Sequence, residues 1–311
     1  RVLPPMIVLA NIRDFDQHSH DIWLSSREAN IWLSSSTANQ DHWKLATIAK
    51  WDPLTQAKAL FNKKYWLTKS SGQDVGLLFL NNGIKVLLII PLFGSHLWAT
   101  IYVGRFLQSN FGDAPTLIVP GFIVGLVYAL VFLLFEDGSR FFVHRAMHNI
   151  PFLWRLHRVH HSAETLTPLT LFRVHPLESI IYFLRGLLVF GLVSGVFIWL
   201  FGRELTFFHI LGVDALGFIF NLAGANLRHS HVWLSFGRFE KYFISPAQHQ
   251  FHHSKDHGHP NFGTYLAFWD RINGSLKKTS LKPEHLSFGL GTGQHGDSIS
   301  LAPPINQSVG T

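Results

Sequence analysis

Three short segments of the chain carry histidines at spacings that suit metal binding. The first places two histidines four residues apart, at His144 and His148. Two later segments, 157–161 and 249–253, both read H-x-x-H-H. On a helix, residues three or four apart lie on one face, so each segment would aim its imidazoles at one point.

These segments supply eight candidate ligands, which we predict to be the catalytic metal ligands: His144, His148, His157, His160, His161, His249, His252 and His253. Eight imidazoles exceed what one tetrahedral zinc ion binds and suit two ions that keep open positions. Imidazole binds iron, zinc, copper and nickel, so the residue type alone leaves the metal open. The competing interpretation is a set of surface histidines in a chain that has 20 of them.

The composition is that of a membrane protein. Charged residues make up 14% of the chain, against about 25% in a typical soluble domain, and hydrophobic residues 47%. The net charge of +7 is not gathered in one basic run, which favours a membrane surface over nucleic acid as partner. Cysteine is absent, which excludes disulfides, thiolate metal sites, Fe–S clusters and a cysteine nucleophile.

Four apolar stretches are each near the roughly 20 residues that cross a bilayer as a helix. They cover about 75–103, 116–135, 179–201 and 205–225. We therefore predict an all-α integral membrane protein with about four transmembrane helices; buried soluble helices are the alternative. The predicted regions are an N-terminal cytosolic or interfacial region with short helices (1–74), a membrane domain (75–276) and a C-terminal tail (277–311).

The Lys and Arg residues predict the orientation. Residues 1–74, 136–178 and 226–311 hold nine, five and eight of them, whereas the two turns between stretches hold one each. The positive-inside rule puts the three richer segments in the cytosol. The histidine segments would then lie on one side of the membrane, where they can meet.

At these motifs the chain resembles the fatty acid hydroxylase/sterol desaturase superfamily of membrane di-iron enzymes. The resemblance covers about residues 117–276 and rests on motifs in matching order: FVHRAMH (142–148), LHRVHHS (156–162), HPLE (175–178), SPAQHQFHHS (245–254), NFG (261–263) and WDRINGS (269–275). It implies a helical cap on a four-helix membrane stem, with the metal pair at the cytosolic interface.

The resemblance also implies an activity. Members of the family insert oxygen or a double bond at unactivated C–H bonds of fatty acyl, sterol, carotenoid or ether lipids. For this chain it implies two iron ions, O2 as co-substrate, a lipid substrate within the lipids of the endoplasmic reticulum or bacterial inner membrane, and no nucleic acid. The sequence has no dinucleotide fingerprint, so we expect an external electron donor such as cytochrome b5, ferredoxin or a reductase.

One motif departs from the family pattern. Many relatives have a histidine two residues before the asparagine that is Asn226 here, and this chain has Gly224 there. Either His229 or His231 can supply that ligand, or the site lacks it. His175 is another candidate ligand, with a helix-capping role as its alternative.

Metal-bound imidazoles need an acceptor on their second nitrogen. We predict Asp137, Glu164, Glu178 and Asp256 as candidate acceptors, with surface salt bridges as the alternative, and Asp270 as a residue that fixes the C-terminal loop. The loop residues His257 and His259 are expected to be supporting or exposed, with metal ligation as the alternative. The remaining histidines are interpreted as structural: His18, His20, His42, His96, His209, His285 and His295.

Other functions remain open from the motifs alone. A desaturase on the same scaffold would carry the same histidines as a hydroxylase. Non-enzymatic alternatives are a metal transporter or a bis-histidine haem carrier, both of which need ligands within the spans rather than beyond their ends. A zinc hydrolase would act without O2 or reductant.

Overall fold

A computed structural model describes residues 21–25, 30–34, 63–114, 117, 119–202, 226–280, 284 and 286–290. The chain divides into two compact units, Arg1–Pro53 and Leu54–Thr311, and each is described by itself. In the first unit, β1 (Asp21–Ser25) and β2 (Asn30–Ser34) pair antiparallel, with Trp23 opposite Trp32. These Ile- and Trp-containing segments form strands where we expected short helices, since β-branched and aromatic residues favour strands.

The second unit is helical, which confirms the all-α fold predicted for the membrane domain. Its elements in chain order are α1 (Lys63–Trp66), α2 (Lys69–Ile84), a π-helix (Lys85–Ile89), α3 (Ile90–Phe93), α4 (His96–Phe111), α5 (Gly121–Asn149), α6 (Pro151–His161), a 3₁₀ helix (Pro168–Phe172), α7 (Pro176–Phe201), α8 (Asn226–Arg228), a 3₁₀ helix (Gly237–Lys241), α9 (Pro246–His253) and α10 (Phe268–Asn273).

Three helical segments of the described residues are long and apolar enough to cross a bilayer: Lys69–Phe111, Gly121–Asn149 and Pro176–Phe201. They coincide with the first three predicted stretches. The fourth, 205–225, lies outside the described residues. Many large apolar side chains on these helices are exposed, for example Phe122 and Leu188, as expected where lipid is the solvent.

The first predicted stretch is not one straight helix. Gly94 has φ of +77°, which glycine adopts at low cost and which ends α3. Ser95 then caps the next helix, because its Oγ accepts a hydrogen bond from the backbone N–H of Trp98. The chain therefore enters α4 after a break rather than a continuous turn.

Small residues bring α4 and α7 into close contact. A Cβ atom at Gly191 would lie 2.8 Å from Ala99, and one at Gly195 would lie 2.6 Å from Val103. The residue numbers of the paired positions increase in the same direction along both helices, so α4 and α7 run parallel. Glycines spaced four apart permit this approach between membrane helices.

α5 and α7 share a buried interior and meet at the histidines. The core consists of Val124 and Tyr128 on α5 and Val189 and Val193 on α7. The C-terminal end of α5 and the N-terminal end of α7 lie at the same place, because His144 on α5 and Glu178 on α7 both adjoin His157. α5 therefore ends at the histidine cluster, and α7 begins there.

Candidate metal centre

Nine histidines from four segments lie together in this unit. α5 contributes two, α6 three, α9 three, and the turn after α8 contributes His229. The start of α9 is strongly specified. The Ser245 hydroxyl accepts from Gln248 N–H, while the Gln248 side chain accepts from Ser245 N–H, which forms a capping box.

The nine histidines form two groups, within each of which the ligand nitrogens lie no more than 4.8 Å apart. The first metal group is His144, His148, His157, His161 and His252; the second metal group is His160, His229, His249 and His253. Each group can bind a metal ion. The eight histidines predicted from the motifs all belong to one group or the other.

The two H-x-x-H-H segments share their histidines between the groups in opposite ways. α6 gives its first and third histidines to the first metal group and its middle one, His160, to the second. α9 gives its first and third to the second metal group and its middle one, His252, to the first. Residues four apart point almost the same way on a helix, whereas adjacent residues differ by about 100°. One helix can therefore serve two neighbouring sites.

The nitrogen distances in the second metal group suit a shared ion. His229 Nε2 lies 3.1 Å from His160 Nε2 and 2.9 Å from His249 Nε2. One ring nitrogen carries either a single proton or a single lone pair, so it cannot form two linear hydrogen bonds. Two nitrogens about 2.1 Å from one ion and at right angles would be about 3.0 Å apart.

Unpaired ring nitrogens give a second test of whether a metal fits. Within the described part of the chain, five buried Nε2 atoms have no hydrogen-bond partner, namely those of His148, His157, His161, His252 and His253. Buried polar atoms almost always have partners. Five unpaired ring nitrogens gathered in two neighbouring groups form a donor set of the kind that metal ions require.

The outer nitrogens of several ligands are held by acceptors. His144 and His252 each donate Nδ1–H to a backbone carbonyl, of Phe262 and Pro260 respectively, at 2.8 Å. His160 Nδ1 lies 3.3 Å from the carbonyl of Arg173. These contacts fix the tautomer that leaves the Nε2 lone pair pointing inward.

Of the four carboxylates predicted to orient ligands, one does so. Glu178 Oε1 lies 2.7 Å from His157 Nδ1. Asp137 instead accepts from the backbone N–H groups of Tyr265 and Leu266 and from Trp269 Nε1. The side chains of Glu164 and Asp256 are exposed, and neither orients an imidazole of the two metal groups. The carbonyl acceptors were not predicted, because any residue can supply a carbonyl.

The loop that carries two of these carbonyls is itself held rigidly. Asp270 accepts hydrogen bonds from the N–H groups of Phe262 and Gly263 and from the Ser275 hydroxyl. Asn261 accepts from Lys277 N–H and donates to the carbonyl of Gln248 on α9. Asp270 thus fixes the C-terminal loop, as predicted, and through it positions His144 and His252.

Burial favours the neutral form of the histidines on α6 and α9. Desolvation lowers the pKa of His157 to about 3. It also holds the pKa values of the ligands on α9 and of His160 and His161 well below the usual range for histidine. Neutral imidazole is the form that binds metals.

A buried arginine ties α6 to α2. Arg173, 5% exposed, donates from Nε to the Val159 carbonyl and the Ser162 hydroxyl, and from Nη1 to Asp74. Asp74 in turn accepts from the Thr170 hydroxyl. This network fixes the end of α6, where His160 and His161 lie.

The histidines that the motifs left open have different roles in the structure. Of the three that the motifs left open, His229 joins the second metal group, whereas His175 and His231 lie outside both groups. Ligation by His175 does not match this geometry, because its Nδ1 caps α7 by accepting from Leu177 N–H. Nor does ligation by His231, whose ring stacks on Tyr65 with centroids 3.8 Å apart.

The loop histidines support rather than join the groups. His259 Nδ1 donates to the His252 carbonyl at 2.8 Å, and its ring lies 4.8 Å from that of His161. His257 stacks on Phe251. His96 lies between aromatic rings of α7, which agrees with a structural role. The other histidines interpreted as structural, His18, His20, His42, His209, His285 and His295, lie outside the described residues.

Comparison with known proteins gives a family match over the same region. The model of the fatty acid hydroxylase family matches residues 129–275. Similar proteins include an ornithine lipid hydroxylase from Rhizobium tropici, 26% identical over 60% of this chain, and a lathosterol oxidase from Rattus norvegicus, 26% identical over 56%. A very-long-chain aldehyde decarbonylase from Oryza sativa is 29% identical over 52% of this chain.

The chain spans about half the length of the curated relatives it matches: 50% of the ornithine lipid hydroxylase, 52% of the lathosterol oxidase and 60% of the decarbonylase. No solved structure matches the chain.

Proposed function

Because this chain belongs to the fatty acid hydroxylase/sterol desaturase superfamily, we propose that it is a membrane-bound oxidoreductase that hydroxylates a lipid. The proposed cofactor is a pair of iron ions, and the proposed co-substrate is O2. The observation that carries this proposal is the pair of neighbouring, buried, all-histidine groups at the ends of apolar helices.

The two metal groups would hold one iron each. The five imidazoles of the first metal group and the four of the second are nitrogen donors of the kind that iron accepts. When bound, such an iron pair supplies the O2 activation that organic side chains cannot provide.

The side chains of the protein position that pair. α6 and α9 each donate to both groups, so the distance between the two ions would be set by the packing of two helices rather than by a loop. Glu178 and the carbonyls of Phe262, Pro260 and Arg173 hold the rings in place. The burial of the groups keeps bulk water away from a reactive oxidant.

Hydroxylation needs more than the chain itself provides. Conversion of R–H and O2 to R–OH and water takes up two electrons and two protons. The sequence has no cysteine and no dinucleotide fingerprint, so we propose that a cytochrome b5, a ferredoxin or a reductase delivers the electrons. The distribution of Lys and Arg supports a cytosolic position for the metal groups, where such a donor can reach them.

The test is a comparison of membrane lipids from cells that do and do not express the protein, with His160→Ala as the inactive control. We expect lipids that gain one oxygen atom, only with O2 and only with the unsubstituted protein. Lipids that lose two hydrogen atoms instead would show that the reaction is desaturation and not hydroxylation. Purified protein without iron, or with a haem absorption band, would contradict the proposal.

A further inference from the structure

A group of charged side chains lies between α5 and α7, closer to the apolar parts of these helices than the histidines are. Arg185 donates to both carboxylate oxygens of Glu136 at 2.8 Å, and Arg140 Nε donates to the same carboxylate at 2.7 Å. The side chains of Arg185, Glu136 and Arg140 are 9%, 16% and 31% exposed. Two guanidinium groups therefore share one carboxylate in a mostly buried position.

This group has an excess positive charge. Two cations and one anion leave a net charge of +1, and no other carboxylate of the described residues pairs with either arginine. Arg185 Nε is buried without a hydrogen-bond partner. Arg140 uses only its Nε atom within the described part of the chain, which leaves its two terminal nitrogens for another partner.

The position corresponds to the edge of the hydrocarbon layer. Glu136 follows the apolar stretch 116–135 directly, and Arg185 precedes the most apolar part of α7. The neighbouring Phe135 and Phe142 are 56% and 60% exposed. Eight residues, or ~12 Å of helix, separate Glu136 from His144 in the first metal group.

An unbalanced charge at this depth is unfavourable unless an anion accompanies it. Phosphate and carboxylate groups are the anions that guanidinium binds best, through paired hydrogen bonds. Lipid headgroups bring these anions to this depth. We propose that Arg140 and Arg185 bind the anionic headgroup, phosphate or carboxylate, of the lipid that the metal groups oxidise; this substrate class rests on the proposed function.

One face of α7 connects this headgroup site to the metal. Glu178, Tyr182 and Arg185 lie at positions i, i+4 and i+7, so they share a stripe of the helix. Glu178 contacts His157 in the first metal group. A lipid whose headgroup is held by the arginines would thus lie beside a continuous polar stripe that ends at the oxidising centre.

The first experiment measures binding without turnover. Native mass spectrometry of the purified protein would compare retention of phosphatidic acid and phosphatidylcholine with matched acyl chains. Arg140→Gln removes the excess charge but leaves the Glu136–Arg185 pair, so the fold should persist; Arg145→Gln changes an exposed arginine on the same helix. We expect phosphatidic acid to be retained preferentially, and about tenfold more weakly by Arg140→Gln only.

Equal retention of both lipids, or equal losses in the two variants, would overturn the headgroup site. Inorganic phosphate at the same concentration should not displace phosphatidic acid, since the acyl chains also contribute to binding; complete displacement would contradict a lipid ligand. The iron content of Arg140→Gln should equal that of the unsubstituted protein.

The second experiment separates this inference from the proposed function. Iron-loaded protein with its reductant and O2 would receive a mixture of anionic and neutral lipids, and mass spectrometry would identify which gain oxygen. We expect products from the anionic lipids, with a higher KM for Arg140→Gln. Oxidation of neutral lipids alone would refute the assigned substrate class while leaving the activity; oxidation of none would refute the activity.

Discussion

His160 and His229 face each other through their Nε2 atoms, 3.1 Å apart, although 69 residues separate them in the chain. His160 belongs to a helix whose other two histidines serve the first metal group, whereas His229 lies in the turn after a three-residue helix. Their contact brings a histidine of α6 and the histidine of the turn after α8 into the second metal group. Of the two candidates after Asn226, His229 is therefore the one that lies in the second metal group.

Replacement of His229 by alanine should therefore weaken the second metal group alone. It leaves three of the four imidazoles, so we expect the purified variant to bind about one metal ion fewer per chain. Metal analysis by mass spectrometry measures this. His231→Ala is the matched control, because His231 stacks on Tyr65 outside both groups and its loss should leave the metal content unchanged. Equal metal loss in both variants would contradict the assignment.

Glu178→Gln should reduce metal affinity while preserving the fold. Glutamine keeps the shape of the side chain but replaces the carboxyl oxygen next to His157 Nδ1 with the weaker acceptor of an amide. Loss of such a supporting acceptor typically lowers affinity or activity by about 10- to 100-fold. Competition with a chelator measures the change, and the exposed Glu164→Gln should behave as the unsubstituted protein does. An unchanged chelator profile for Glu178→Gln would show that this contact does not tune the metal.

Arg173→Met should destabilise the protein more than it affects the metal directly. The change leaves Asp74 buried, 0% exposed, without its cationic partner, which in buried pairs costs about 3–5 kcal/mol. Thermal unfolding in detergent should show a lower Tm. Arg145→Met, at an exposed position, serves as control and should leave Tm in place; a stable Arg173→Met variant would mean that Asp74 finds another partner.

Gly263→Ala should disturb the first metal group through the loop. A methyl group at this position would lie 2.7 Å from Asp270 Oδ2, so either the loop or the Asp270 carboxylate that holds it must move. The displaced Phe262 carbonyl would then hold His144 less well. We expect lower activity and lower iron content, whereas Gly72→Ala, where nothing lies within 4 Å, should change neither. Full iron content in Gly263→Ala would show that this loop does not support metal binding.

The sequence located the histidines of the two metal groups because helix geometry is local. Spacings of three and four residues require no knowledge of the rest of the fold, so all eight predicted histidines lie in the two metal groups. The division into two groups depends on how α6 and α9 pack against each other. The spacing of residues along one helix carries no information about that packing. His229 could be only one of two candidates, because a turn has no periodicity that selects a face.

The ends of the helices are likewise not predicted by the local sequence pattern alone. Apolar stretches predicted three spans, yet α5 continues to Asn149, well beyond residue 135, because the histidine segment extends the helix out of the apolar region. Gly94 and Ser95 carry the usual signals of a helix end and start, although the apolar stretch around them predicts one continuous span. Acceptors such as the Phe262 carbonyl have no sequence signal apart from the NFG motif that positions them.

The most direct test of the account is an anomalous difference map of the purified, iron-loaded protein, recorded at the iron absorption edge. We expect two peaks per chain, one surrounded by His144, His148, His157, His161 and His252, the other by His160, His229, His249 and His253. A single peak, or peaks away from these residues, would contradict it.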